Sequence, residues 1–200
     1  MDQHLYNVAM GKEPADLVIK NGQLVNVYSG EIYSGGVAVA GDKIAAFGDV
    51  DYAIGETTHV IDAEGKYITT GFLDGHIHPE IANLSMTRFA EVALSHGTTG
   101  IFTDLHEVVV VCGMVAMSAA LEEGKQTPLK FFWIVPSHVP FSPGLETSGG
   151  SINFEIIEQA LKREDAFGLG EVVSLYVAFE HPDLMKSIDV TNKLNKIVCG

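Results

Sequence analysis

The chain has 200 residues, and 46% of them are hydrophobic, which is enough apolar material for a buried core. Its formal net charge of −14 would repel a phosphate backbone, which argues against nucleic acid as a partner. The longest apolar runs fall far short of the roughly 20 residues that cross a bilayer. The first residues also lack the basic and apolar parts of a secretory signal. We therefore expect a cytoplasmic protein that has a small-molecule partner and no membrane partner.

The first seventy or so residues predict a β-hairpin meander. Apolar alternation and glycine turns delimit five predicted strands, which are residues 16–27, 37–40, 43–47, 59–62 and 66–69. Gly65 closes the short turn between the last two of these strands. We therefore predict a small N-terminal β-sandwich domain over residues 1–68.

After Gly71, strand-like apolar runs alternate with segments of helical period, which is typical of a parallel α/β sheet or barrel. The predicted strands are residues 72–73, 99–103, 131–135 and 167–173. The predicted helices are residues 87–95, 113–123, 151–162 and 184–199. Four βα units are half of a (β/α)8 barrel, which needs about 250 residues. Residues 69–200 are therefore predicted to form the first βα units of such a barrel. The chain is then either a fragment of a longer protein, or another chain supplies the remaining units.

The sharpest local signal is the pair His76 and His78. Residues i and i+2 on a strand project to the same face, so the two imidazoles can hold one ion between them. The pair follows the first predicted barrel strand, at the end where such barrels place their active sites. Two histidines at a strand end with no ligand role are the alternative.

Glu171 is the second candidate, because it is an acidic residue within a predicted apolar strand flanked by glycines. We interpret it as a buried carboxylate that would be held ionised near histidine-bound ions and could bridge them. The alternative is a salt-bridged glutamate at a strand end.

Asp104 and His106 follow the second predicted barrel strand, at the same rim. Two interpretations are open for them. They could bind substrate or metal directly, or they could form a helix N-cap with an acidic first turn.

The polar loop over residues 136–150 is too long for a simple connection, and we expect it to shape a pocket. It also fits a proline-rich turn that leads to Ser151 as the N-cap of the next helix.

The segment Thr69 to His78, TTGFLDGHIH, resembles the motif that opens the barrel of metal-dependent amidohydrolases, usually Pro-Gly-Phe-Ile-Asp-x-His-x-His. Further segments resemble the adenine deaminase family in the same order and at near-equal spacing. These segments are residues 96–99, 104–107, 131–140, 146–149 and 168–172. The resemblance covers most of the chain from about Asp16 onward, and it implies the (β/α)8 barrel of the amidohydrolase type.

The resemblance implies a hydrolase of carbon–nitrogen bonds that converts adenine and water to hypoxanthine and ammonia. The implied nucleophile is a metal-bound hydroxide, and the implied cofactors are two divalent ions of manganese, iron or zinc. His76, His78 and Glu171 match the family's metal ligands. The implied catalytic residues are Glu171, Asp104 and His106, and the implied substrate-binding residues are Glu80, Ser137, His138 and Glu146. A homo-oligomer is compatible with these expectations.

Three departures from the family pattern bear on the expected substrate and site. Glu80 is kept, but the two serines and the methionine that usually follow it are replaced in the stretch Pro79 to Asn83. His138 stands where the family usually has a cysteine. The remaining family ligands would lie beyond Gly200, so we expect the chain alone to hold only part of the metal site.

Other functions share the barrel motif. The enzyme could act on another aminopurine or a pterin, or on a cyclic amide in the manner of dihydroorotases and hydantoinases. The cyclic amide hydrolases generally carry lysine where Glu171 stands. A non-catalytic truncated relative that keeps the fold is the third possibility.

Overall fold

The computed structural model describes residues 2–200. Contacts between residues divide the chain into two compact units, Met1–Thr70 and Gly71–Gly200. Each unit has its own sheet.

The first unit is a five-stranded mixed sheet with one α-helix. Its elements are α1 (Gln3–Ala9), β1 (Leu17–Val25), β2 (Ile32–Ala40), β3 (Lys43–Gly48), β4 (His59–Asp62) and β5 (Tyr67–Ile68), with a 3-10 turn at Asp51–Ala53. Strands β3, β2 and β1 form an antiparallel meander. Both β4 and β5 run parallel to β1 along its other edge. The five predicted strands are confirmed, with ends shifted by a few residues. The predicted turn at Gly65 does not form a hairpin, because β4 and β5 both pair with β1 and not with each other.

Alternation along the strands divides the apolar residues of this sheet between two small clusters. Val18 and Ala38 belong to one cluster, while Ile19 and Val37 belong to the other. Helix α1, which was not predicted, packs Val8 into the first cluster. The Asp2 carboxylate starts this helix by accepting hydrogen bonds from backbone N–H groups in its first turn.

The second unit is a sheet of five parallel strands with helices in the connections. Its elements are β6 (Phe72–Asp74), α2 (Met86–Ser95), β7 (Thr98–Thr103), α3 (His106–Gly124), β8 (Lys130–Val135), α4 (Phe154–Leu161), β9 (Ala166–Leu169), α5 (Ser174–Ala178), α6 (Pro182–Lys193) and β10 (Ile197–Val198), with a 3-10 turn at Pro79–Ala82. The strand order is β10-β9-β8-β7-β6. This sequential parallel order is that of a partial (β/α)8 barrel, and it confirms the predicted fold class.

The end of the chain differs from the prediction of one helix over residues 184–199. Helix α6 ends at Lys193, Asn195 adopts a left-handed conformation (φ 53°), and Ile197 and Val198 form a fifth parallel strand beside β9. The Cys199 N–H donates to the Leu169 carbonyl at 3.0 Å. Pairing with β9, a contact between distant residues, therefore overrides the helical pattern.

Two further helices differ from their predictions. Helix α3 begins at His106 instead of residue 113 and is broken at Gly113, whose φ of 70° and ψ of −170° favour glycine. The residues before this break include a run of consecutive valines. Because no polar residues interrupt this run, it shows no helical period. Helix α4 is capped by Asn153, whose side chain accepts from the Ile156 N–H at 3.0 Å, and not by Ser151. Helix α5 was not predicted.

Two apolar clusters lie between this parallel sheet and its helices, and the smaller one contains Ala90, Ile101 and Leu129. The larger one joins strands β8 and β9 to helices α3 and α4. Its fully buried members come from strands and helices alike, and they include Leu105, Val109, Met117, Trp133, Val135, Leu161 and Leu169. Over residues 2–200, no helix combines the length and the apolar character required to span a membrane.

Replacing Leu161 with alanine tests this core. Leu161 is fully buried, so its removal leaves a cavity that we expect to lower the free energy of unfolding by about 2–5 kcal/mol. Val115 in helix α3 is 84% exposed, and its replacement with alanine should change the free energy by less than about 0.5 kcal/mol. Urea unfolding followed by the fluorescence of Trp133, the single tryptophan, measures both. Equal losses in the two variants would contradict the assigned core.

Candidate metal centre

His76 and His78 lie just after strand β6, where the Asp74 carboxylate accepts a hydrogen bond from the His76 N–H at 3.1 Å. The two Nε2 atoms are 3.1 Å apart. Glu171 Oε2 lies 3.9 Å from His76 Nε2 and 4.0 Å from His78 Nε2. The structure therefore brings together the three residues predicted as metal ligands.

These three side chains, which we call the ligand trio, fit one divalent ion. Two ligand atoms that are each about 2.1 Å from an ion are at most about 4.2 Å apart. All three distances within the trio meet this limit. Two imidazoles and one carboxylate suit zinc, iron and manganese, so the donor atoms fit the implied cofactor without selecting the metal.

Glu171 differs from its prediction in position and in burial. Strand β9 ends at Leu169, so Glu171 lies two residues beyond it, and its side chain is 43% exposed. The predicted burial of this carboxylate is therefore wrong. Its backbone is held on both sides instead. The Glu171 N–H donates to Asp104 Oδ2 at 3.1 Å, and the Glu171 carbonyl accepts from Ser137 Oγ at 2.6 Å.

Asp104 is the buried carboxylate of this region, with a side chain only 2% exposed. Its Oδ1 accepts from the His106 N–H at 3.1 Å at the start of helix α3 and lies 3.1 Å from His78 Nδ1. Burial raises the pKa of Asp104, and the charges of His78 and His106 work in the opposite direction. Asp104 therefore contacts a helix start and two members of the ligand trio at once.

Two more acidic residues face the same nitrogen of His78. Glu107 Oε2 lies 3.4 Å and Glu80 Oε1 lies 3.8 Å from His78 Nδ1. Glu80 is nearly buried, accepts from the Glu107 N–H at 3.3 Å, and has its pKa raised to about 8 by burial and by the neighbouring Glu107. His78, Glu80 and Asp104 form a second group with a spacing that could hold a cation.

The loop that follows strand β8 contacts Glu171 through Ser137. Since a hydroxyl has one proton and Ser137 donates it to the Glu171 carbonyl, the 2.6 Å contact with His138 Nδ1 must be donated by the imidazole. Burial, followed by repulsion from His106 and His181, lowers the pKa of His138 to about 4. His138 is therefore neutral near pH 7 and carries its proton on Nδ1.

Two other predicted site residues lie elsewhere. The His106 side chain is buried, its ring centroid is 4.0 Å from that of Phe141, and burial lowers its pKa. Glu146 Oε1 accepts from the Ser142 N–H at 2.8 Å, within its own loop. Neither residue shares a hydrogen bond with the ligand trio in the part of the chain described.

Two cavities border these residues. A crevice of only about 10 Å³ lies beside His76, Asp104 and Glu171, and Cys199 lines it. A cavity of about 280 Å³ is lined by Ser137 and His138 together with Tyr176, His181 and Asp183.

The positions of Cys199 and His181 beside these cavities are not predicted from the sequence. We expect reduced thiols at Cys112 and Cys199 from their wide spacing, and both cysteines are free. The sequence does contain a signal for Cys199. Two β-branched residues, which favour a strand, precede it and place it at the carboxyl end of strand β10. His181 gives no such signal, since the turn before helix α6 brings it to the cavity.

No family model matches the chain. Over 204 residues the chain is 44% identical to an adenine deaminase of Clostridium botulinum, an alignment that covers 98% of this chain and 33% of that protein. It is also 44% identical to an adenine deaminase of Moorella thermoacetica, over 86% of this chain and 29% of that protein. The chain thus spans about a third of the length of these curated relatives.

Solved structures share the fold at lower identity. A crystal structure of an adenine deaminase superposes with a TM-score of 0.56 and 18% identity, covering 90% of this chain and 47% of that one. The L-hydantoinase of Arthrobacter aurescens superposes with a TM-score of 0.53 and 22% identity, covering 78% of this chain and 32% of that one. The chain is therefore a homologue of adenine deaminases with a fold of the amidohydrolase type.

Proposed function

We propose that the intact protein is a metal-dependent deaminase that converts adenine and water to hypoxanthine and ammonia. The convergence of His76, His78 and Glu171 within 4.0 Å of one another carries this proposal. It is supported by 44% identity to proteins named adenine deaminase. Glu171 also stands where cyclic amide hydrolases generally have lysine, which favours the deaminase over the hydantoinase alternative.

In this proposal the ligand trio holds the first of two divalent ions, of manganese, iron or zinc. A bound ion would lower the pKa of water and so make a nucleophile available near neutral pH. His76 and His78 present their Nε2 atoms, and Glu171 presents a carboxylate that solvent can reach. The chain itself contributes orientation, because each of these three residues is held by hydrogen bonds or close contacts to its neighbours.

The residues beside the trio are proposed to bind the substrate. Ser137 and His138 line a cavity of about 280 Å³, close to the lower size of small-molecule pockets, which is about 300 Å³. Glu80 lies beside His78, and Glu146 orders the loop over residues 136–150. A catalytic role for His106 stays a prediction.

We also propose that residues 1–68 are the N-terminal β domain of a cytoplasmic enzyme, and that residues 69–200 are the first part of its barrel.

Turnover of adenine by the intact, metal-loaded protein tests the function. We expect ammonia release, and we expect His76→Ala and Glu171→Ala to lower kcat/KM by more than about 100-fold, since losing a ligand costs more than losing its hydrogen-bond partner. His96→Ala, at the exposed end of helix α2, is the matched control and should stay near the parent value. A loaded enzyme that deaminates other aminopurines or pterins but leaves adenine untouched would disprove the substrate and keep the reaction class.

Metal content tests the cofactor independently of the substrate. Dialysis against a chelator should abolish ammonia release, and re-addition of manganese, iron or zinc should restore it. Elemental analysis should find bound divalent metal in the parent protein and in His96→Ala, and less of it in His78→Ala. A parent protein that retains no divalent ion when purified in its presence would instead favour a non-catalytic relative.

A further inference from the structure

The ligand trio is assembled from two strands that are not neighbours in the sheet. His76 and His78 follow strand β6, Glu171 follows strand β9, and strands β7 and β8 lie between them. The histidines and Glu171 can therefore meet only if the segments that follow β6 and β9 are directed toward each other. Asp104, which follows β7, contacts both sides: its Oδ1 faces His78 and its Oδ2 accepts from the Glu171 N–H.

We propose that Asp104 is a positioning residue that holds His78 and Glu171 in the geometry required for the metal ion. The inference rests on the proposed function and assigns Asp104 a role different from the direct catalytic one predicted from the sequence. Both of its carboxylate oxygens accept backbone hydrogen bonds, and its side chain is almost fully removed from solvent. Little of the carboxylate is left free to contact a substrate.

The contact with His78 fixes which nitrogen of that imidazole is free. A carboxylate only accepts hydrogen bonds, so a bare Nδ1 lone pair 3.1 Å from Asp104 Oδ1 would be repelled. Glu107 and Glu80 lie within 3.8 Å of the same nitrogen and add to this repulsion. The proton of neutral His78 therefore belongs on Nδ1, which leaves the Nε2 lone pair to bind the ion.

The contact with Glu171 cannot be explained by a role in starting helix α3. A single oxygen, Oδ1, is enough for the bond to the His106 N–H at that helix start. The second oxygen binds a backbone group 67 residues away. Ser137 holds the carbonyl of the same residue, so hydrogen bonds from β7 and β8 fix Glu171 on both sides.

Asp104→Asn in the intact protein tests the proposal. Asparagine has the same shape, but one acceptor oxygen becomes an NH₂ donor, which would face either the His106 or the Glu171 N–H. We expect Zn²⁺ affinity, measured by competition with a chelating dye, to fall about 10–100-fold, the usual effect of removing a group that orients a ligand. Adenine turnover should recover toward the parent kcat at saturating Zn²⁺, because the catalytic groups are intact.

Two variants serve as controls. Glu107→Gln removes an acid that also faces His78 Nδ1 but is 47% exposed and has no bond to Glu171, so its effect on Zn²⁺ affinity should be much smaller. Asp189→Asn, on the exposed side of helix α6, should not change the affinity. An effect of Glu107→Gln equal to that of Asp104→Asn would overturn the proposal in favour of a simple effect of charge.

Other outcomes also decide the question. A folded Asp104→Asn protein with Zn²⁺ affinity within twofold of the parent overturns the proposal, and so does turnover that stays low at saturating Zn²⁺, which would mean a direct catalytic role. Should Asp104→Asn fail to fold by circular dichroism, Ser137→Ala replaces it, and unchanged affinity in that variant is the overturning result. If the parent binds Zn²⁺ but leaves adenine untouched, only the proposed substrate fails, because the affinity comparison does not use adenine.

Discussion

The arrangement at the carboxyl edge of the parallel sheet depends on the hydrogen bonds that compensate for the burial of the Asp104 carboxylate. A buried carboxylate is costly unless donors replace the lost water, and burial accordingly raises the pKa of Asp104. Two backbone N–H groups take the place of that water, and the Nδ1 of His78 lies 3.1 Å from the carboxylate. Each comes from a different segment of chain, so satisfying one carboxylate brings the ends of three strands together.

The charges around His78 extend this constraint. Asp104, Glu107 and Glu80 all approach its Nδ1, and within residues 2–200 no lysine or arginine forms an ion pair with any of the three. Acids held this close repel one another, which is consistent with the raised pKa of Glu80. A cation on the opposite nitrogen of His78 would relieve part of the repulsion. The negative charge at Nδ1 of His78 and the paired Nε2 atoms of the two histidines would thus favour the same cation.

Much of this fold was predictable because its signals are local. Alternating strands, glycine turns and the rhythm of strand and helix are encoded over a few residues, and so is the pair His76 and His78. The errors fall where distant contacts decide. Ile197 and Val198 form a strand because β9 lies beside them, and Asn153 instead of Ser151 caps helix α4 because of the path of the preceding loop. The unbroken apolar run before Gly113 has no period by which a helix could be recognised.

The proximity of His76, His78 and Glu171 was predictable, but the burial of the acids at this sheet edge was not. The apolar residues and glycines around Glu171 predict a buried carboxylate, yet the strand ends two residues earlier and the Glu171 side chain is 43% exposed. Asp104, interpreted as a rim residue or a helix cap, is buried, with a side chain only 2% exposed. Burial is set by what the other strands place around a residue, and a single stretch of sequence does not contain that information.

An exposed Glu171 and a buried Asp104 are also physically consistent with the proposed hydrolytic site. A carboxylate that binds an ion next to water and substrate has to stay accessible, and Glu171 does so while its backbone is fixed by Asp104 and Ser137. A carboxylate that orients other groups gains from burial, because hydrogen bonds to an ionised acceptor strengthen where water is excluded. In the proposed site the exposed acid would hold the ion and the buried acid would lie behind it, which would give the sheet edge both access and rigidity.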